Sequence, residues 1–262
     1  MSGVGTPGEL ADRVALVTGG AGGIGRAIAA ALAGIGATIV VADRDEAGAR
    51  AVAEPLPEGS AYAVELSDPD ACRSLIRGVV DQRGRIDILV NAAGFQHIAP
   101  VTTFPYERWD AILRTMLTAP FLLIQAALPG MIERGWGRIV NIGSIHSVVA
   151  SPNKAAYVAA KHGLLGLTRA VAIEVGGHGI TCNAVCPTYV RTPLVEAQIA
   201  GQAQARGIPE RDVVEQVMLA DAAIPRLLEP DEVAAYVRFL CTDAAAGITG
   251  SAQMIDGGWT AH

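Results

Sequence analysis

The sequence predicts an α/β fold: one doubly wound parallel sheet of about seven strands, helices on both faces, and a helical lid inserted late in the chain. Three observations predict it. Short β-rich runs recur along the whole chain, they are apolar on both faces, and a helix-forming stretch separates most of them from the next. A strand covered by helices on both sides must be apolar all round, and parallel neighbours need a crossover between them.

In chain order the strands are expected at "RVALVT" (13–18), "ATIVVA" (37–42), "SAYAVE" (60–65), "IDILVN" (86–91), "RIVNIG" (138–143), "ITCNAVC" (180–186) and "AQMID" (252–256). Helices are expected over 23–34, 45–53, 68–82, 105–134, 152–175 and 230–241. Asp68-Pro69 and Ser151-Pro152 have the form of a capping residue followed by proline at a helix start, and Gly176-Gly177 is a natural stop. Residues 190–225 break the rhythm, being helical in composition without a strand, as a lid over a site would be. With no linker, repeat or low-complexity tract in view, residues 1–262 read as a single domain.

The bulk numbers agree with a buried core and narrow the partners. Hydrophobic residues make up 51% of the chain and charged ones 18%. A net charge of −6 provides no basic field for nucleic acid or for an anionic membrane. "MSGVGTPGEL" lacks the basic-then-apolar pattern of a signal peptide, which points to the cytoplasm. The apolar run from Ala27 to Ala42 is interrupted by Gly34 and Gly36, so it reads as a helix end and a strand rather than a membrane span. Cys72, Cys182, Cys186 and Cys241 show no metal-ligand or disulfide spacing and are expected to be reduced and packed, with no metal.

"VALVTGGAGGIGRAIAAAL" places Gly20-x-Gly22-x-x-Gly25 where the first strand meets the first helix. Glycines there allow a tight turn, bring backbone close to a pyrophosphate and leave the helix N-terminus facing the anion. The next strand ends at Asp43, about twenty residues on, where a carboxylate can accept both adenosine ribose hydroxyls and would repel a 2′-phosphate. That favours NAD over NADP, although Arg44 beside it could attract the same phosphate.

The stretch "RIVNIGSIHSVVASPNKAAYVAAKH" carries Ser144, Tyr157 and Lys161. Tyr157 and Lys161 are four apart on a helix and project from one face. A nearby ammonium lowers a phenol from its ordinary pKa of roughly 10 and equips it to exchange a proton with a substrate oxygen. Ser144 falls at the carboxyl end of the fifth strand, the edge where open α/β sheets bind ligands. Gln96, His97, His146, Lys154 and Gln198 lie where such a fold opens its substrate pocket, and a lysine with amide and imidazole groups suits a small carboxylate.

With these residues in place, the chain resembles the short-chain dehydrogenase/reductase family over nearly its whole length. The family's T-G-x-x-x-G-x-G appears as Thr18-Gly19 and Gly23-Ile24-Gly25, its N-N-A-G as Asn91-Ala92-Ala93-Gly94, and its serine and Y-x-x-x-K as Ser144, Tyr157 and Lys161. The resemblance implies a Rossmann-type fold with Tyr157 as general acid/base, Ser144 holding the substrate oxygen, and Lys161 tuning the tyrosine and binding the nicotinamide ribose. It implies NAD contacts at Gly19, Gly23, Ile24, Gly25, Asp43, Leu66, Asn91, Gly94, Tyr157, Lys161, Pro187, Val190 and Thr192. "FQHIAPV", "GWGRIVNI", "ASPNKAAYVAAKHG" and "TPLVEAQI" are similar to the bacterial D-3-hydroxybutyrate dehydrogenases. That narrower resemblance implies substrate contacts at Gln96, Ser144, His146, Lys154, Tyr157 and Gln198, interconversion of (R)-3-hydroxybutyrate and acetoacetate, a closing lid and a homotetramer.

The pattern is broken at one telling place. Aligning "ERWDAILRTMLTAPF" puts Met116 where the family carries an asparagine that holds a proton-relay water, and a thioether cannot do that. Thr115 or Thr118 could position the water instead. Thr188 replaces a family glycine, and Glu65 replaces an aspartate near the adenine. These departures keep two alternatives open. One is a dehydrogenase for another hydroxy acid, a cyclic alcohol or a sugar derivative; the other is a weakened, NAD-binding paralogue.

Overall fold

The computed structural model describes residues 6–261; the first five residues of the segment read for a signal peptide lie outside them. Seven strands form one parallel sheet: β1 (Val14–Thr18), β2 (Thr38–Asp43), β3 (Ser60–Ala63), β4 (Ile88–Asn91), β5 (Gly137–Ile142), β6 (Ile180–Pro187) and β7 (Ala252–Ile255). Their order across the sheet is β3-β2-β1-β4-β5-β6-β7, so the chain reverses direction between β1 and β4. Ligands of open α/β sheets bind at such a reversal, outside the carboxyl ends of the strands.

The crossovers are α1 (Gly23–Ala33), α2 (Glu46–Ala53), α3 (Pro69–Arg83), α4 (Tyr106–Leu113) running through a π turn into α5 (Ala119–Arg134), and α6 (Ala155–Val175). After β6 come α7 (Pro193–Arg206) and the short α8 (Glu210–Val213), then α9 (Pro230–Leu240) before β7. Strand alternation divides the core. Ala15, Val17, Ile39 and Val41 point to the face covered by α1 and α9, packing on Ile28, Leu32, Val233 and Val237. Val14, Leu16, Val40 and Leu89 point to the other face, on Leu75 and Val79 of α3 and Leu123 of α5. Each valine, leucine or isoleucine among them removed from water contributes about 2 kcal/mol. All four cysteines are free and buried, and burial pushes the Cys72 thiol up to about 11 and those of Cys182 and Cys241 up to about 12, leaving them unreactive.

Three local expectations change. Asp68 does cap α3, accepting from the Asp70 amide at 2.9 Å with Pro69 in the first turn. The helix expected from Pro152, however, begins at Ala155 with Lys154 as its capping position. Asn153 adopts a left-handed backbone (φ 65°) that cannot belong to a helix, and the Ser151 hydroxyl is drawn to His146 rather than to an amide of the first turn. Second, the expected helix 105–134 is interrupted by one π turn, Arg114–Thr118, with Met116 buried in it. Third, Thr188 shows no positive φ, so glycine's freedom is not needed there.

The combined helix from Tyr106 to Arg134 is long and apolar enough to cross a membrane, with a mean hydropathy of 1.6 in its most apolar window. Its apolarity has an internal use: Leu122, Leu123, Ala127 and Met131 are buried against the sheet and α3.

Candidate active site

The glycine turn between β1 and α1 opens onto a cleft of about 680 Å³ along the carboxyl edge of the sheet. Its form follows from missing side chains. Gly19 has φ +66°, and a Cβ there would lie 2.5 Å from the Ala93 backbone; one on Gly25 would lie 2.3 Å from the Gly19 carbonyl oxygen. At Gly22 a Cβ would meet nothing within 4 Å, so this backbone faces open space at the start of α1. A glycine turn, a helix N-terminus and a cleft of this size fit the pyrophosphate of a dinucleotide. Asp43 lies at the far end of the cleft, its carboxylate accepting from the amides of Ala21 and Asp45 at 3.1 Å.

Of the residues expected around the cofactor, Gly19, Gly23, Ile24, Gly25, Asp43, Leu66, Gly94 and Thr192 line the cleft. Asn91, Tyr157, Lys161, Pro187 and Val190 do not. Asn91 is buried and donates to the Asn141 side chain at 2.8 Å, bracing β4 against β5 behind the cleft. Arg44 and Glu65 also line it, Arg44 beside Asp43 as its sequence neighbour.

Next to the cleft is a much smaller cavity, about 70 Å³, lined by Gln96, Ser144, His146, Lys154, Tyr157 and Gln198. All six expected substrate-side residues meet there, from the loop after β4, the turn after β5, α6 and α7. His97 is not among them; its ring packs edge-on against Phe104, 5.3 Å between centroids. Ile145, Thr188, Tyr189, Leu194 and Val195 complete the wall and were missed by sequence reasoning. Thr188 was noted only as a departure from glycine, and that was the one available signal. Within the wall, Gln96 Oε1 and Thr188 Oγ1 are buried without hydrogen-bond partners, two polar atoms left for a polar guest.

The charges here are unusual. Lys154 and Lys161 are the only lysines in the chain; the other eighteen of its twenty Lys and Arg residues are arginines. Both are buried, at 7% and 5% exposure, and neither belongs to an ion pair among the described residues. Lys161 donates to the Ile142 carbonyl at 2.5 Å, with its ammonium 5.5 Å from the Tyr157 ring centre, and burial pulls it down to about 8. Lys154 reaches the Tyr189 hydroxyl at 3.4 Å and is likewise lowered by burial. Burial, with the positive charges of Lys154 and His162, holds His146 down to about 3, so it is a neutral imidazole at pH 7.

Tyr157 corrects an expectation. Its phenol is not lowered by Lys161 in the protein alone but pushed up to about 12, because it is buried; a hydrogen bond with Ser144 opposes this only in part. The apolar wall beside it explains the burial: Met116, Ile112, Ala156 and Ala160 pack as one cluster with the Tyr157 ring. Thr118 is exposed and Thr115 lines the larger cleft, so Thr118 is excluded as a substitute water holder.

A parallel sheet with this reversal, a glycine turn and a Ser-Tyr-Lys set define a short-chain dehydrogenase/reductase, and the chain belongs to that family. The sequence profile described as Enoyl-(Acyl carrier protein) reductase matches residues 19–260. The D-beta-hydroxybutyrate dehydrogenases of Rhizobium meliloti (strain 1021) and Cupriavidus necator are 44% and 42% identical over 258 residues, covering 95% and 97% of this chain and 99% and 100% of theirs. A solved structure from Beutenbergia cavernae, described as that of a proposed NAD(P)-dependent gluconate 5-dehydrogenase with bound NADP at low occupancy, superposes with a TM-score of 0.87 at 35% identity. That match covers 98% of this chain and 100% of that one. The protein is therefore an oxidoreductase whose cofactor is a nicotinamide dinucleotide.

Proposed function

We propose that the protein interconverts (R)-3-hydroxybutyrate and acetoacetate with NAD, as a cytoplasmic homotetramer of single-domain subunits with the 190–225 insertion as lid. One observation carries the substrate: Gln96, His146, Lys154 and Gln198 line the same small cavity as Ser144 and Tyr157. A four-carbon acid fits its scale. Lys154 supplies the charge for the carboxylate; the two amides and the neutral imidazole fix its orientation without adding to that charge. Asp43 supports NAD, since a 2′-phosphate would meet a carboxylate already held at the cleft end.

The dinucleotide, when bound, takes or gives the hydride. Gly19, Gly23, Ile24, Gly25 and Thr192 hold its phosphates and Asp43 its adenosine ribose, while Leu66 and Gly94 form the walls. Asn91 braces β4 against β5 beneath the cleft. Ser144 donates to the substrate oxygen and Tyr157 transfers the proton. A neutral phenol is the form that protonates acetoacetate's ketone, so the buried Tyr157 is ready for reduction. Oxidation needs the phenolate, and the Lys161 ammonium, 5.5 Å from the ring centre, is a cation placed to stabilise it.

NADH formation by the purified protein with NAD and (R)-3-hydroxybutyrate tests this, beside the (S) acid and NADP. Turnover of the (R) acid with NAD alone is expected. Met116 favours a second reading, a weakened dinucleotide-binding paralogue, because an apolar side chain fills the relay position. An inactive wild type made active by Met116→Asn would establish that reading instead.

A further inference from the structure

A dehydrogenase must move one proton per turnover between its buried tyrosine and solvent. The side of Tyr157 formed by Met116, Ile112, Ala156 and Ala160 offers no group that can carry it. Lys161 has its ammonium fixed on the Ile142 carbonyl. The other side is polar and continuous. Ser144 lines the same small cavity as Tyr157, its Oγ lies 3.3 Å from His146 Nδ1, and His146 Nε2 lies 2.9 Å from Ser151 Oγ. Ser151 is half-buried, and Pro152 and Asn153 after it are exposed. We infer that the proton of Tyr157 leaves and enters through Ser144, His146 and Ser151, a path that takes the place of a lysine-linked water at Met116. The inference rests on the dehydrogenase reading above.

The chemistry balances. In oxidation the substrate O–H breaks and Tyr157 phenolate takes the proton. The phenol passes a proton to Ser144 Oγ, Ser144 passes its own to His146 Nδ1, Nε2–H passes to Ser151 Oγ, and Ser151 releases one to water. No electrons move along the path; the hydride goes to NAD. A neutral imidazole is the side chain suited to the middle step, with one nitrogen accepting and the other donating. Burial, with the Lys154 charge beside it, keeps His146 neutral, and the Tyr157 ring stands edge-on 5.8 Å away. His146 also lines the substrate cavity, so after product leaves Nδ1–H yields its proton to water there while Nε2 takes one back from Ser151, itself reprotonated by water. The resting tautomer returns with one proton released in all.

Ser151 makes the test clean, because it touches His146 but does not line the cavity. Ser151→Ala should lower kcat several-fold with KM unchanged and enlarge the solvent deuterium isotope effect on kcat. Adding Met116→Asn, which supplies a polar group on the other side of the tyrosine, should restore much of the loss. His146→Ala should be rescued in kcat by added imidazole. In the protein without dinucleotide, nitrogen NMR at pH 7 should show His146 as a neutral imidazole whose Nε2 shifts in Ser151→Ala. Wild-type kcat and isotope effect in Ser151→Ala, or a His146→Ala defect that imidazole does not touch, overturns the path; so does a doubly protonated His146 at pH 7. A wild type inactive with both (R)-3-hydroxybutyrate and acetoacetate removes the underlying reading and the path with it, which an active wild type with an indifferent Ser151→Ala does not.

Discussion

The two edges of the sheet treat buried charge in opposite ways. At the amino edge Asp87 is fully buried and surrounded by Arg85 at 2.6 Å, Arg134 at 3.4 Å and Arg13 at 3.8 Å, and it accepts the Val14 amide at 3.0 Å. Arg138, 2% exposed, is paired there with Asp243 and lies over Trp136. At the carboxyl edge Lys154 and Lys161 are nearly as buried, yet no carboxylate pairs with them among the described residues, and His146 beside them stays neutral. One edge uses arginine, which keeps its charge and is satisfied by forked hydrogen bonds; the other uses the chain's two lysines, whose pKa shifts readily on burial. The lesson is that the amino edge holds the fold together, while the carboxyl edge leaves two buried lysines without a carboxylate, an arrangement suited to an anionic ligand.

The sharpest way to break this contrast is Tyr157→Phe. Removing the phenol oxygen should lower turnover about 10³-fold, the scale of a lost general acid/base. The melting temperature should stay within a few degrees, because no structural partner except Ser144 loses a bond. Retained turnover would remove Tyr157 from the chemistry. Asp87→Asn is the mirror experiment. It leaves three arginines facing a neutral amide and should cost about 3 kcal/mol in urea unfolding, with kcat of the folded protein unchanged. A stable Asp87→Asn, or one with impaired kcat, would dissolve the division of labour between the edges.

How much of this was legible in the sequence follows the same division. The strands were legible because burial on both faces leaves continuous apolar runs such as Val14–Thr18, and the turn because Gly19 and Gly25 answer backbone requirements that no other residue meets. The helix start at Ala155 was not, since it depends on His146 drawing Ser151 away, a contact decided in three dimensions. The resemblance assigned Asn91, Pro187 and Val190 to the cofactor, but a motif position says nothing of depth, and none of the three lines the cleft. Tyr189 and Leu194 escaped notice because they reach the cavity from a segment that folds back after β6, with no periodicity to reveal it. Lys161 was expected to lower Tyr157, but a sequence does not show how far both groups are removed from water.

The smallest expected effect sharpens the comparison most directly, since it measures the cost of an unpaired group at the carboxyl edge. His146 is held near 3 when folded and takes its ordinary value of 6.5 when unfolded. Between those values the unfolded chain binds a proton that the folded one refuses, so this site makes stability fall as pH falls from 6.5 toward 3. Over the upper part of that window, from pH 6.5 to 5, the contribution is about 2 kcal/mol. His146→Gln keeps a polar side chain of similar reach but cannot titrate, so its urea-unfolding free energy should drop less than that of the wild type over the same interval. Equal slopes would mean that His146 charges freely in the folded state. The carboxyl edge would then be as well compensated as the amino edge, with a counter-charge or water supplying what Asp87 supplies for its arginines.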